Sequence, residues 1–102
     1  MIVPVMSIGG KGVISVLANV MPKEAHNLCQ LCLDNNFIEA GKEQIRLLDF
    51  INNLFIDVNP IPVKEALNIM GKNAGPCRMP LVPLSEKARA TLTASMKNLN
   101  LI

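Results

Sequence analysis

Tryptophan and tyrosine are absent, and phenylalanine occurs only at Phe37, Phe50 and Phe55, in a chain of 102 residues that is half apolar. A core made here must come from Leu, Ile, Val, Met and Ala, a composition typical of helix packing and barrel interiors. With no aromatics set among cations to stack bases, and a net charge of +2 spread among both signs, there is no footprint for nucleic acid. No apolar run approaches the roughly 18 to 20 residues that span a bilayer. Residues 1–8 are apolar but lack a basic start, contain Pro4 and lead into glycines, so they do not read as an export signal. Three cysteines, an odd number in a loop-poor chain, are not a disulfide framework and point to a reducing cytoplasm. The length allows one small domain and hardly more.

What is present is organised around Gly9-Gly10-Lys11-Gly12-Val13-Ile14-Ser15-Val16. Glycines that permit tight turns hand over to a β-branched run suited to a strand covered on both faces. The pattern predicts one short strand at residues 13–16, followed by a loop at Ala18-Asn19-Val20. Ahead of it, residues 2–7 read as a helix end or an irregular lead-in that has lost what it packed against. Met21-Pro22-Lys23-Glu24 starts a helix, with proline in the first turn and a carboxylate near its positive end. Ala25, Leu28, Cys29, Cys32 and Leu33 then repeat on one face, and Asp34-Asn35-Asn36 breaks the run. A longer helix over residues 37–55 turns Phe37, Ala40, Leu47, Leu48, Ile51, Leu54 and Phe55 inward. Two proline-stiffened connectors follow, at residues 57–62 and 78–84. Between them is a short helix with Val63, Ala66, Leu67 and Met70 inward and Gly71 as its C-cap. Ser85 before Glu86 caps a final helix that buries Ala88, Leu92, Met96 and Leu99.

Three groups of residues could carry chemistry. His26, Cys29 and Cys32 lie on one helical face, with Cys77 conceivable as a fourth zinc ligand. Zinc knuckles and redox Cys pairs normally sit at turns or helix starts, however, so the mid-helix cysteines read as small buried hydrophobes and no metal is expected. The glycine cluster meets neither phosphate-binding pattern, because Lys11 is followed by Gly12 and the glycines precede the strand. A Schiff-base lysine needs burial or a cationic neighbour. Lys11, Lys23, Lys42, Lys72, Lys87 and Lys97 fall on turns or solvent faces, and only Lys64, in Asn59-Pro60-Ile61-Pro62-Val63-Lys64, has a distinctive setting.

The glycine-strand run with Ala18-Asn19, the Asn59 to Lys64 run, and Pro80-Leu81 with Pro83-Leu84 together resemble the C-terminal third of the dihydrodipicolinate synthase family. Its members are pyruvate-dependent lyases on a (β/α)8 barrel. The resemblance implies a fragment of such a TIM barrel with its C-terminal helical domain, mainly α-helical when isolated and with one short β-strand. Residues 1–36 would be the last strand and last helix of the barrel, and residues 37–102 the helical domain. It implies condensation of pyruvate with aspartate semialdehyde through a Schiff base, in lysine (diaminopimelate) biosynthesis, with no cofactor and in a homo-oligomer.

A whole barrel needs about 250 residues, so by the resemblance the nucleophilic lysine, the proton-shuttling tyrosine, the carboxylate-binding threonines, the entrance arginine and the lysine-feedback site lie elsewhere. No catalytic residue is expected in this stretch, which should be inactive alone. The one family position carried over is Ile14, whose counterpart lines the pyruvate pocket through backbone and shape. Leu17 departs from the Thr common at its position. The alternatives are a fragment of a sibling sugar-acid lyase, whose strand usually differs here, and a non-catalytic helical interaction module.

Overall fold

A computed structural model describes all 102 residues. The chain forms six helices and no strand: α1 Ile2–Ser7, α2 Leu17–Val20, α3 Pro22–Leu33, α4 Phe37–Asn53, α5 Ile61–Ile69 and α6 Glu86–Asn98. It divides into two compact units, Met1–Leu48 and Asp49–Ile102, with the boundary inside α4.

In the first unit α1 and α2 each pack on α3. Met6, Leu28, Cys32 and Ala40 form a buried cluster, and Ile2, Val3, Cys29, Leu31 and Phe37 pack against it. The amide oxygen of Gln44 on α4 accepts from the Val3 N–H at 3.1 Å. It thereby satisfies one of the donors that every helix start leaves free. Leu17, Val20, Met21 and Ala25 are buried as well. In the second unit α5 packs on α6, where Ile61, Val63 and Ala66 are buried on α5 and Leu92, Ser95 and Met96 on α6. Ser95 tolerates burial because its hydroxyl donates to the Leu92 carbonyl at 2.8 Å.

Four helices end in the same way. After α1, α3, α5 and α6 the chain turns through a residue of positive φ, at Gly9, Asn35, Gly71 and Asn100. Two backward hydrogen bonds then close the helix. For α5 the Gly71 N–H donates to the Asn68 carbonyl and the Lys72 N–H to the Leu67 carbonyl, both at 2.9 Å. This double bond pattern satisfies carbonyls the helix end would orphan, and it needs a residue that tolerates the left-handed region. Gly71 is thus the expected cap. At the end of α1, Gly10 comes so close to Val5 that an added Cβ would lie 2.9 Å from both its side chain and its carbonyl oxygen. Ser85 caps α6 as expected, its hydroxyl accepting from the Ala88 N–H at 3.2 Å.

The expected strand at residues 13–16 is not formed. Strand geometry is held by hydrogen bonds to a neighbour, and no second extended segment in these residues pairs with it. The predicted loop at residues 18–20 is instead α2, because Leu17 and Val20, three apart, both bury against α3. On α4, Phe50 is buried in addition to Ala40 and Leu47, whereas Leu48 and, just past the helix, Phe55 are exposed. Leu33, expected inward on α3, is also exposed.

Candidate functional site

Ile14 lies in the irregular stretch between α1 and α2, and its side chain is fully exposed. Residues 11–14 take part in no hydrogen bond within the chain, and the first backbone acceptor after them is the Ser15 carbonyl, which receives the Ala18 N–H at 3.2 Å. Val13 beside it is exposed as well. The backbone of this glycine-led segment is unpaired within the chain, and its Val13 and Ile14 carry no side chain able to move a proton.

The face that carries Cys29 and Cys32 is built into the core. Cys32 is buried with Met6, Leu28 and Ala40, and Cys29 packs at the edge of that cluster. Burial pushes both thiols up from their ordinary value, and for Cys32 the neighbouring Cys29 adds to the effect. Thiols held protonated are poor nucleophiles and poor metal ligands. His26 is exposed, Cys77 belongs to the other unit, and no three His, Cys, Asp or Glu side chains come together in a set that could hold an ion.

Lys64 stands on α5 at the wall of a cleft of about 500 Å³, shared with Ile61, Asn68, Cys77, Leu81 and Leu84. Its Nζ donates to the Pro76 carbonyl at 3.1 Å. One turn on, Asn68 grips the same loop twice: its amide nitrogen donates to the Gly75 carbonyl at 2.9 Å and its oxygen accepts the Gly75 N–H at 3.0 Å. Glu65 reaches Arg89 of α6 at 3.1 Å. Lys64, Asn68 and Glu65 on α5 therefore brace the connector and the last helix. Asn68 went unnoticed in the sequence; the available signal was an amide on the flank of an amphipathic helix just before an Asn-x-Gly-Pro loop. The remaining lysines are all exposed.

The model of the dihydrodipicolinate synthetase family matches residues 1–99. The chain belongs to this family. The 4-hydroxy-tetrahydrodipicolinate synthase of Acetivibrio thermocellus is 49% identical over 102 residues, which is all of this chain and 35% of that enzyme. A crystal structure of dihydrodipicolinate synthase superposes with a TM-score of 0.96 at 43% identity, over 98% of this chain and 35% of that one. The chloride-inhibited synthase of Acinetobacter baumannii, solved in complex with pyruvate, gives a TM-score of 0.93 at 35% identity, over 98% of this chain and 34% of that one. The chain thus spans about a third of the length of the family members it matches. Family membership fits the glycine-strand and Asn59 to Lys64 motifs. The backbone of these helices follows the solved synthases even though residues 13–16 form no ladder here. No helix is long and apolar enough to cross a membrane.

Proposed function

We propose that these residues are the C-terminal part of a cytoplasmic lyase that condenses pyruvate with aspartate semialdehyde through a Schiff base, in lysine (diaminopimelate) biosynthesis. The observation that carries this reading is the family match over residues 1–99, supported by the similar synthase that was solved with pyruvate. In this reading residues 1–36 supply the last strand and helix of a (β/α)8 barrel, and residues 37–102 the appended helical domain. Ile14 lines the pyruvate pocket once residues 13–16 pair with neighbouring strands, contributing backbone and shape beside a lysine borne elsewhere.

The 102-residue chain alone is inactive in this account. Six of its lysines are exposed, without the burial that an activated Schiff-base lysine needs. The seventh, Lys64, has committed a donor to the Pro76 carbonyl. The test is intact mass after incubation with pyruvate and borohydride. The expected result is an unmodified chain, together with no condensation of pyruvate and aspartate semialdehyde. A trapped adduct, with Lys64 the first position to map, would place the nucleophile inside these residues and overturn the assignment.

A further inference from the structure

The half-buried Lys64 ammonium carries three donors and gives one to the Pro76 carbonyl at 3.1 Å. No carboxylate of the chain pairs with it. The other polar side chains of its cleft are already engaged or open to solvent. Glu65 is held by Arg89 at 3.1 Å, Asn68 is committed to Gly75 through both amide atoms, and Asn73 is exposed. Around Lys64 the wall is apolar, with Ile61 buried and Leu81 and Leu84 half-buried. A second cleft of about 490 Å³ shares Lys64, Cys77 and Leu81 with the first and adds Arg78, which also lacks an ion-pair partner. Lys64 therefore stands where the two clefts meet, with a second unpaired cation on one side and an apolar wall on the other.

We propose that these joined clefts are a binding site for an aliphatic monocarboxylate, whose carboxylate is taken by Lys64 with Arg78 beside it and whose tail lies along Ile61, Leu81 and Leu84. The volume of the first cleft falls within the range of about 300–1,000 Å³ usual for small-molecule sites. A half-buried cation in an apolar wall favours an anion with an apolar body, because burying it beside a neutral or cationic ligand would leave its charge uncompensated. A phosphate would call for several converging donors, and here one half-buried ammonium and one exposed guanidinium are on offer. The site is independent of the lyase reading, and neither stands or falls with the other.

Titration of the isotope-labelled 102-residue chain with sodium hexanoate, followed by NMR amide shifts, tests this. The expected result is saturable shifts confined to residues 61–68 and 73–84, with a Kd of about 1 mM, the affinity an open cleft gives a ligand of few atoms. Hexanol keeps the tail without the charge, and should bind about tenfold or more weakly. Acetate keeps the charge without the tail, and should also bind about tenfold or more weakly. Lys64→Met, which retains most of the stem, should weaken hexanoate by about tenfold. Arg78→Gln, at an exposed position with no partner to lose, should weaken it by roughly threefold. Lys64→Met also removes the bond to Pro76, so Arg78→Gln and the two control ligands decide the matter if that variant does not fold. No saturable shift by about 10 mM hexanoate would overturn the proposal. Hexanol binding as well as hexanoate would reduce the site to plain apolar surface, and acetate binding as well would reduce it to a diffuse counterion site. Hexanoate binding unchanged in either folded variant would overturn it too.

Discussion

Each unit contains one long non-helical stretch rich in glycine or proline, and the two are held in opposite ways. In the second unit, residues 73–84 are gripped by Lys64 and Asn68 from α5 and end on the Ser85 cap of α6. In the first, residues 11–14 make no hydrogen bond within the chain, and Ile14 is fully exposed. The lesson concerns where the partners are encoded. A connector whose backbone is satisfied by nearby side chains is finished by its own sequence. A strand is finished only by another strand, since its donors and acceptors point sideways out of the segment.

The contrast can be broken most forcefully through the core of the first unit. Leu28→Ala in the buried cluster of the first unit should cost about 2–5 kcal/mol, read as a lowered urea midpoint. A loss well under that range would mean that the first unit, open at residues 11–14, is already loosely packed. Next in size, Asn68→Ala should cost about 1–3 kcal/mol, because it strands the N–H and C=O of Gly75. Hydrogen exchange should then speed up at residues 73–77 and stay unchanged at residues 11–14, which have no protection to lose. Equal changes in both stretches would erase the distinction.

Of these features, the caps were the most legible in the sequence. Ser85 followed by Glu86, and Gly71 after an apolar helix, are local signals, because a cap is completed within a few residues of itself. Asn35 and Asn100 serve the same purpose with less obvious residues. The faces of α4 were read less well. Leu48 and Phe55 looked inward and are exposed, and Phe50 is buried instead, because periodicity marks an apolar stripe without saying which of two stripes is covered.

Smaller effects sharpen the comparison at single groups. Ser85→Ala should cost about 1 kcal/mol, seen as a lower melting temperature with α6 fraying first. A side-chain hydrogen bond from Arg46 holds the Glu43 carboxyl below its ordinary range, against the opposing pull of burial. A carboxyl whose folded pKa lies below its unfolded one contributes stability above the unfolded value and loses it as pH falls through the folded one. Glu43→Gln should therefore lower stability at neutral pH, with the difference from the parent vanishing as pH falls through the acid range, so that the acid limb flattens. A parallel acid limb in the variant would detach the effect from this pair. Smallest of all, Ile14→Thr should shift the stability of the 102-residue chain by no more than about 0.5 kcal/mol, since an exposed side chain has no packing to lose. A large loss would show that residues 11–16 are already anchored.

The sequence by itself determined helices α3 to α6, the caps at Gly71 and Ser85, and the family, because periodicity, capping chemistry and the Asn59 to Lys64 run are all local. Only the tertiary structure decided that Leu17 to Val20 coils against α3, that Asn68 clasps Gly75, and that the glycine-led β-branched run stays unpaired. Each of those outcomes depends on what lies across space from a residue, and a strand propensity without a facing edge has nothing to bond.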